Sequence, residues 1–265
     1  EASLRRLQTD HVDILSYHSV DSAEDLRAEG PLQALAELKK EGKTRFIGVS
    51  THQGTVVLPE AVRLDMFDVA LVPVNYTMAS NKALLDAIDQ AAKAGMGVIA
   101  MKTQAGGLAR PDRSLPKVLP PHSQTALLKW VLHNPSITTA IPGVTAYDQL
   151  EQNISVAFDL EYSAAEKAFL GDRALMTQAR FCQQCGQCRT DCPYGVEIPA
   201  LMRSHMYAVQ YANLDMARST LACLGTGKGL APCASCGACK AVCRNDVNIG
   251  ANIGRLMSSR QQLGV

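Results

Sequence analysis

An α/β fold with parallel strands, continued by a cysteine-bearing helical tail, is what this sequence predicts. Three observations lead there. Short β-branched runs alternate with stretches of helical periodicity through the first 160 residues. All nine cysteines lie after residue 180. Eight of those nine fall into two sets with the same internal spacing.

The strands are expected at 11–17 (HVDILSY), 45–49 (RFIGV), 68–74 (DVALVPV), 97–101 (GVIAM) and 137–141 (ITTAI). Between them, 31–41, 55–64, 81–94 and 123–133 space their apolar residues as helices do. Gly42, Gly95 and Pro135 stand where those helices should stop. Two further helices are expected over 147–157 and 164–180. Strands separated by helical crossovers run parallel, which both an open doubly wound sheet and a closed barrel satisfy. No GxGxxG follows any strand, so the open dinucleotide-binding sheet loses its main support. In a barrel, chemistry gathers where strands end. Here the strands run out into His18, then Ser50, Thr51 and His52, then Asn75 and Tyr76, then Lys102, then Pro142 and Gly143.

Bulk properties exclude several classes. Lys and Arg total 26 against 25 Asp and Glu, which argues against the clustered basic face of a nucleic-acid partner. No apolar run approaches the roughly 18 residues of a membrane span. No signal peptide is legible, although the chain opens on Glu1 rather than Met, so targeting cannot be read from it. Secreted disulfide scaffolds are small and cysteine-dense throughout, and an odd count of nine pairs poorly.

The spacing Cys182-x2-Cys185-x2-Cys188-x3-Cys192, followed by Pro193, is that of bacterial ferredoxin-type [4Fe–4S] binders. Cys233, Cys236, Cys239 and Cys243 repeat it at an offset of 51 residues. The likeness extends past the cysteines, pairing Gly186 with Gly237, Val196 with Val247 and Ile198 with Ile249. Zinc sites use paired CxxC knuckles, and the third cysteine at x2 has no role in them. Two cubanes need eight thiolates, and eight are offered. In two-cluster ferredoxins the fourth cysteine crosses to the other cluster. By that rule Cys182, Cys185, Cys188 and Cys243 hold one cluster, while Cys233, Cys236, Cys239 and Cys192 hold the other. Arg244 stands where the second motif should have proline. Cys223 fits neither set and reads as a buried thiol. Met202, Met206 and Met216 read as packing residues. Pro199 opens one helix between the motifs, and 214–225 is a second, ended by Gly225. This helical arrangement resembles the two-cluster ferredoxin modules of electron-transfer subunits.

Four blocks carry a second resemblance: SLRRLQTDHVDILSYH (3–18), GKTRFIGVSTH (42–52), AGMGVIAMKTQAGG (94–107) and LKWVLHNPSITTAIPGVTAYDQLEQN (128–153). They resemble consecutive segments of the aldo-keto reductases, and the whole chain is similar to an iron–sulfur branch of that family. The resemblance implies part of a (β/α)8 TIM barrel, strands four to eight, with an α-helical ferredoxin-like domain after it. The expected division is 1–162 for the barrel part, 163–180 for a helical connector and 181–265 for the two-cluster domain. The family's catalytic Asp, Tyr and Lys precede its fourth strand and so fall outside this chain. His18 matches the family histidine that orients the substrate carbonyl.

The resemblance also assigns nicotinamide contacts. Ser50 matches the serine that holds the carboxamide, and Thr51 stands where asparagine is common. Asn75 and Tyr76 fall near the nicotinamide. Met101, Lys102, Gly106 and Gly107 match the loop over the pyrophosphate, where glycine admits the backbone and Lys102 adds charge. Gly143, Gln149 and Asn153 match the adenosine end. Many NADPH-dependent members carry basic residues at the first two, and both charges are gone here. A 2′-phosphate would lose its ionic partners, so NADH, or no dinucleotide, fits better than NADPH. The expected function is a carbonyl–alcohol oxidoreductase with two [4Fe–4S] clusters, a small carbonyl or alcohol as substrate and a redox protein as further partner. An electron-transfer protein with a scaffold barrel, or clusters acting as staples, are the alternatives. Thiolate clusters survive best in reducing surroundings, so the cytoplasm is expected, with export of a folded precursor as the other route.

Overall fold

The computed structural model describes residues 1–20, 22–104, 121–172, 182, 184, 186–211, 213–243 and 247–263. The chain divides into two compact units: Glu1–Thr103 with Leu128–Pro142, and Gln104–Leu127 with Gly143–Val265.

In order, the first part of the chain forms α1 (Ala2–Leu7), β1 (Val12–Tyr17), α2 (Ala23–Leu26), α3 (Glu29–Lys40), β2 (Thr44–Ser50), α4 (Gly54–Leu64), β3 (Val69–Pro73), α5 (Lys82–Lys93), β4 (Gly97–Met101), α6 (Pro121–Leu132) and β5 (Thr139–Ile141). All four strand pairs are parallel, in the order β1-β2-β3-β4-β5. Each crossover therefore moves one place in the same direction. A doubly wound sheet reverses at a switch point, and these strands contain none.

Parallel strands covered by helices should be apolar on the covered face. Ile47 and Val49 on β2, Ala70 and Val72 on β3, and Val98 and Ala100 on β4 are all buried. The other face alternates with them. Ile14, Phe46 and Ile141 on that face are exposed. Gly48 lies there too, in register with Ser16. A Cβ on Gly48 would stand 2.6 Å from the Ser16 hydroxyl and 3.2 Å from the Ile14 Cγ2, so a side chain there would force the Ser16 and Ile14 side chains to move. Gly42 and Gly95 end α3 and α5 with φ of 73° and 89°, the left-handed conformation glycine adopts without strain. The Asn81 side chain accepts from the Leu84 N–H at 3.2 Å and caps α5.

The second unit holds α7 (Tyr147–Phe158) and α8 (Ala164–Leu170), then α9 (Ile198–His205), α10 (Leu214–Ala222), α11 (Ala231–Ala234), α12 (Ile249–Ser258) and α13 (Arg260–Leu263). A capping box of Ser163 and Glu166 starts α8. The helix expected over 164–180 is described as far as Leu170, and 173–180 lie outside the described residues. The internal repeat survives folding. Ile198 and Ile249 each begin a helix, and with Val196 and Val247 they are buried in one shared core. Leu201, Met202, Leu221, Leu256 and Leu263 complete it. Two expectations need correction. Cys223 is exposed rather than buried, because it caps α10 beyond the face that carries Ala217 and Leu221. Met216, in the first turn of the same helix, is likewise exposed.

Sequence periodicity does not reveal a π-helical turn, and one runs from Met206 to Gln210 directly after α9. Its N-cap, His205, is 3 % exposed, and its Nε2 has no hydrogen-bond partner among the described residues. The repeat places Leu256 at the equivalent position, also in the core. Burial, with the Arg255 charge adding, holds the His205 imidazole down to about 4 from its usual 6.5. The unfolded chain therefore takes up this proton first as pH falls. The contribution to stability is complete above about 6.5 and is lost on the way down to about 4. We expect chemical denaturation to show up to about 3 kcal/mol of acid-dependent loss across that window. His205→Leu should flatten this dependence, and an unchanged pH profile would refute the assignment.

Candidate functional site

Two groups of residues stand out, one in each unit. In the first unit the strands deliver polar residues from their C-terminal ends. β1 runs into His18 and β2 ends at Ser50, which is 2 % exposed. The Ser50 hydroxyl lies 2.9 Å from His18 Nδ1, and it accepts the Ser19 N–H at 2.9 Å. A hydroxyl has one donor and two acceptor positions. With Nδ1 accepting from the serine, one acceptor position on Ser50 stays open and His18 Nε2 carries the proton.

Thr51 is buried; its N–H reaches the Leu71 carbonyl at 3.0 Å, and its hydroxyl accepts the Gln53 N–H at 2.9 Å. Asn75 is buried at the end of β3. Its carbonyl oxygen accepts from the Thr77 N–H and hydroxyl, at 3.1 and 2.7 Å, and so shapes the following turn. The Tyr76 ring meets Trp130 edge-on at 5.5 Å, and burial pushes its phenol pKa up. Met101 ends β4. Lys102 follows in a left-handed conformation, φ 56°, that a non-glycine residue adopts at a cost. A cavity of about 550 Å³ lies at the opposite ends of the strands, against Lys39, Asp65 and Asp68. None of the expected site residues lines it.

The remaining expected dinucleotide contacts fall in the second unit. Gly143 has open space around the position of a Cβ. The Gln149 carbonyl accepts from the Thr145 N–H at 2.8 Å and from its hydroxyl at 3.1 Å, tying down the loop before α7. Asn153 accepts from the Gln104 amide at 2.7 Å. Gly106 and Gly107 lie outside the described residues.

The second group is a cavity of about 310 Å³ lined by Cys192, Cys233, Cys236 and Cys239. That volume is the share of about ten liquid waters. Its other walls are largely apolar, with Val196, Ile198, Ile253 and Met257 among them. Cys192 comes from the first motif and the other three from the second, which is the crossed set the spacing predicts. The four thiols are close enough to interact electrically. Burial pushes the Cys233 thiol up to about 11, and the sulfurs of Cys192, Cys239 and Cys236 add to it. A cationic centre would reverse that shift by favouring thiolates. Among the described residues no three His, Cys, Asp or Glu side chains close on a single point as a lone ion requires. Soft thiolates around an apolar cavity fit an iron–sulfur cube in both chemistry and room.

Gly250, Gly254 and Lys240 also line this cavity and were missed by motif reading, because no cysteine marks them. A Cβ on Gly250 would come within 3.1 Å of the Cys239 Cβ. The other expected set is visible in part. Cys188 is buried in the helical core, and Cys182 and Cys243 pack against that core. Cys185 lies outside the described residues. Cys182 Sγ accepts the Gln184 N–H and side-chain amide, each at 3.4 Å, and that amide also donates to the Pro199 carbonyl at 2.9 Å. Gln184 has a φ of 65°, a conformation that motif reading does not flag.

A parallel α/β sheet with polar strand ends and a helical unit with a four-cysteine cavity define the class: an α/β segment followed by a cysteine-rich helical domain. Comparison with known proteins gives the particulars. Residues 1–122 match the aldo/keto reductase family, and residues 172–248 match a 4Fe-4S dicluster domain and include all eight motif cysteines. An L-galactose dehydrogenase of Arabidopsis thaliana is 30% identical over 65% of this chain and 60% of its own. A methylglyoxal reductase of Salmonella typhi is 29% identical over 62% of this chain and 61% of its own. The chain thus spans about three fifths of the length of these curated relatives. An aldo-keto reductase from Bacillus halodurans, solved in its holo form, shares the fold with a TM-score of 0.50. It is 22% identical and covers 65% of this chain and 61% of that one.

The Ser50 hydroxyl ties the ends of β1 and β2 together in a buried position. Ser50→Ala would leave the Ser19 N–H without its acceptor and His18 without its partner. We expect a loss of about 1–3 kcal/mol in urea denaturation. A change within 0.3 kcal/mol would show that water replaces the serine.

Proposed function

We propose that this chain is part of an aldo/keto reductase-type oxidoreductase that carries two [4Fe–4S] clusters. Residues 1–162 form strands four to eight of a (β/α)8 barrel with its attached helices, 163–180 a connector and 181–265 the two-cluster domain. The observation that carries the reading is the cavity shared by Cys192 with Cys233, Cys236 and Cys239. The crossover rule of two-cluster ferredoxins nominates that crossed set, and these four cysteines line one cavity, which supports the reading. Cys182, Cys185, Cys188 and Cys243 would hold the second cluster. When bound, the clusters supply one-electron transfer.

The chain's own residues fit the carbonyl half of the chemistry in a limited way. The open acceptor position on Ser50 suits an amide N–H of a nicotinamide carboxamide. The His18 Nε2–H can donate to a substrate carbonyl oxygen, holding it in place for hydride. Thr51, Asn75, Tyr76, Met101, Lys102, Gly106 and Gly107 would border the nicotinamide and pyrophosphate, with Gly143, Gln149 and Asn153 at the adenosine end. Neither Gly143 nor Gln149 offers a positive charge, so NADH is the dinucleotide favoured over NADPH. The substrate class is a small carbonyl or alcohol, and the reducing cytoplasm is the setting that best preserves thiolate clusters.

A second reading has its own observation. The Gln149 carbonyl is already committed to Thr145, and neither residue 143 nor residue 149 is basic. An electron-transfer protein whose α/β part is a scaffold would tolerate both. Calorimetric titration with NADH separates the two: micromolar heat of binding supports the reductase, and no heat supports the scaffold.

Anaerobic reconstitution with iron and sulfide tests the cluster assignment. About eight irons per chain are expected, with paramagnetic resonance of two reduced cubanes. Gly250→Val should lower this to about four irons, because its branched side chain enters the cavity wall against Cys239. Valine suits a helix better than glycine, so helicity measured by circular dichroism should hold. A colourless or zinc-loaded chain would overturn the reading.

A further inference from the structure

The internal repeat allows the two cysteine sets to be compared position by position, and the comparison is unequal. Cys188 is 8 % exposed, in the helical core, whereas its counterpart Cys239 is exposed. Arg189 is neutralised by Glu197 at 2.6 Å. The counterpart of Arg189 is Lys240, and that of Glu197 is the neutral Asn248. Lys240 lines the cavity, is exposed, and forms no ion pair among the described residues. Asp191 has Val242 as its counterpart; Val242 is 71 % exposed, and its N–H is held by the Asp191 carboxylate at 3.2 Å. Tyr194, half exposed, lies on the same cavity wall. Cys188 is thus buried beside an arginine neutralised by Glu197, while the cavity of the other set opens beside Lys240, which has no ion pair among the described residues, and near the exposed side chains of Tyr194 and Val242.

The charge of the chain is divided in the same sense. Residues 181–265 carry eight Lys and Arg against four Asp and Glu, a net charge of +4. Residues 1–180 carry 18 against 21, a net charge of −3. An exposed aromatic and an aliphatic residue beside unpaired positive charge fit a transient contact with an acidic surface.

We propose that the cavity of Cys192, Cys233, Cys236 and Cys239 is where electrons enter the chain, and that Tyr194, Lys240 and Val242 dock an acidic one-electron carrier protein there. This rests on the cluster assignment made above. In the exchange the carrier's redox group is oxidised by one electron and the cluster is reduced by one. No bond forms or breaks.

The test uses the reconstituted chain and an acidic flavodoxin in its hydroquinone form as electron donor, followed by stopped-flow bleaching of the cluster absorbance. The second-order rate constant should fall severalfold as salt rises from about 20 to about 300 mM, because screening removes the attraction. Lys240→Glu should slow the reaction roughly five- to tenfold at low salt and flatten the salt dependence. Val242→Glu is a second variant at a site whose side chain is largely in solvent, and it should act in the same direction. Lys82→Glu, a charge reversal in the first unit, should leave the rate within about twofold. Iron and sulfide analysis of each sample separates two failures. A wild-type chain that takes up no cluster removes the cluster assignment and this proposal with it. A loaded chain whose rate ignores salt, ignores Lys240→Glu and Val242→Glu, or responds equally to Lys82→Glu overturns the docking face alone.

Discussion

Cys192 is the residue on which the second unit depends. It belongs by sequence to the first cysteine motif, yet its side chain lines a cavity with three cysteines of the second. Neither motif can enclose that space by itself. Closing the chain between them costs entropy, and the cost grows only slowly with length. The buried pairs Val196 with Val247 and Ile198 with Ile249 offset it, holding the two halves against one core. Ligand binding across the halves would add to the same stability, so cluster loading, as proposed, would be coupled to the folding of this unit. The raised Cys233 pKa expresses the other side of that linkage. Without a positive centre, burial and the neighbouring sulfurs keep the Cys233 thiol protonated.

The first unit has its own fixed point in Ser50. Its position is set by β2, whose register against β1 places Gly48 opposite Ser16, where a side chain would crowd the Ser16 hydroxyl. That pairing brings His18 to hydrogen-bonding distance, so a backbone constraint in mid-strand decides the geometry at the strand's end. The face bearing Ile14, Phe46 and Ile141 remains apolar and exposed, while the opposite face is packed. Adjoining polar strand ends and an apolar lining are what a barrel interior presents toward its mouth.

Much of this was legible in the sequence, for identifiable reasons. β-branched runs bounded by glycine and proline located five strands to within a few residues, because parallel strands buried on a face cannot hide their composition. Cysteine spacing marked the two motifs, because ligand geometry constrains sequence directly, while the crossed pairing came from the likeness to two-cluster ferredoxins. What stayed hidden depends on tertiary packing. The π-helical turn after His205 has ordinary composition, and the exposed position of Cys223 follows from which face of α10 turns inward. The amides of Gln149 and Asn153 were legible as positions but not as commitments, since their partners Thr145 and Gln104 are set by loop geometry. Gly250 carries no motif, and only the approach of Cys239 gives it meaning.

The chemistry that the two units suggest differs in electron count. Hydride moves two electrons at once, whereas a cluster passes one. Two clusters, as proposed, could between them carry the pair, provided the first electron is retained until the second arrives. The set with the buried Cys188 and the cavity with the exposed Cys239 would then divide that work, the second exchanging with a carrier. The division of net charge supports the same order. On the docking proposed above, an acidic carrier would be drawn to residues 181–265, at +4, rather than to residues 1–180, at −3. Long-range electrostatics would then bring one-electron traffic to the cysteine unit and keep it away from the strand ends, where a nicotinamide would need water and stray electron acceptors excluded.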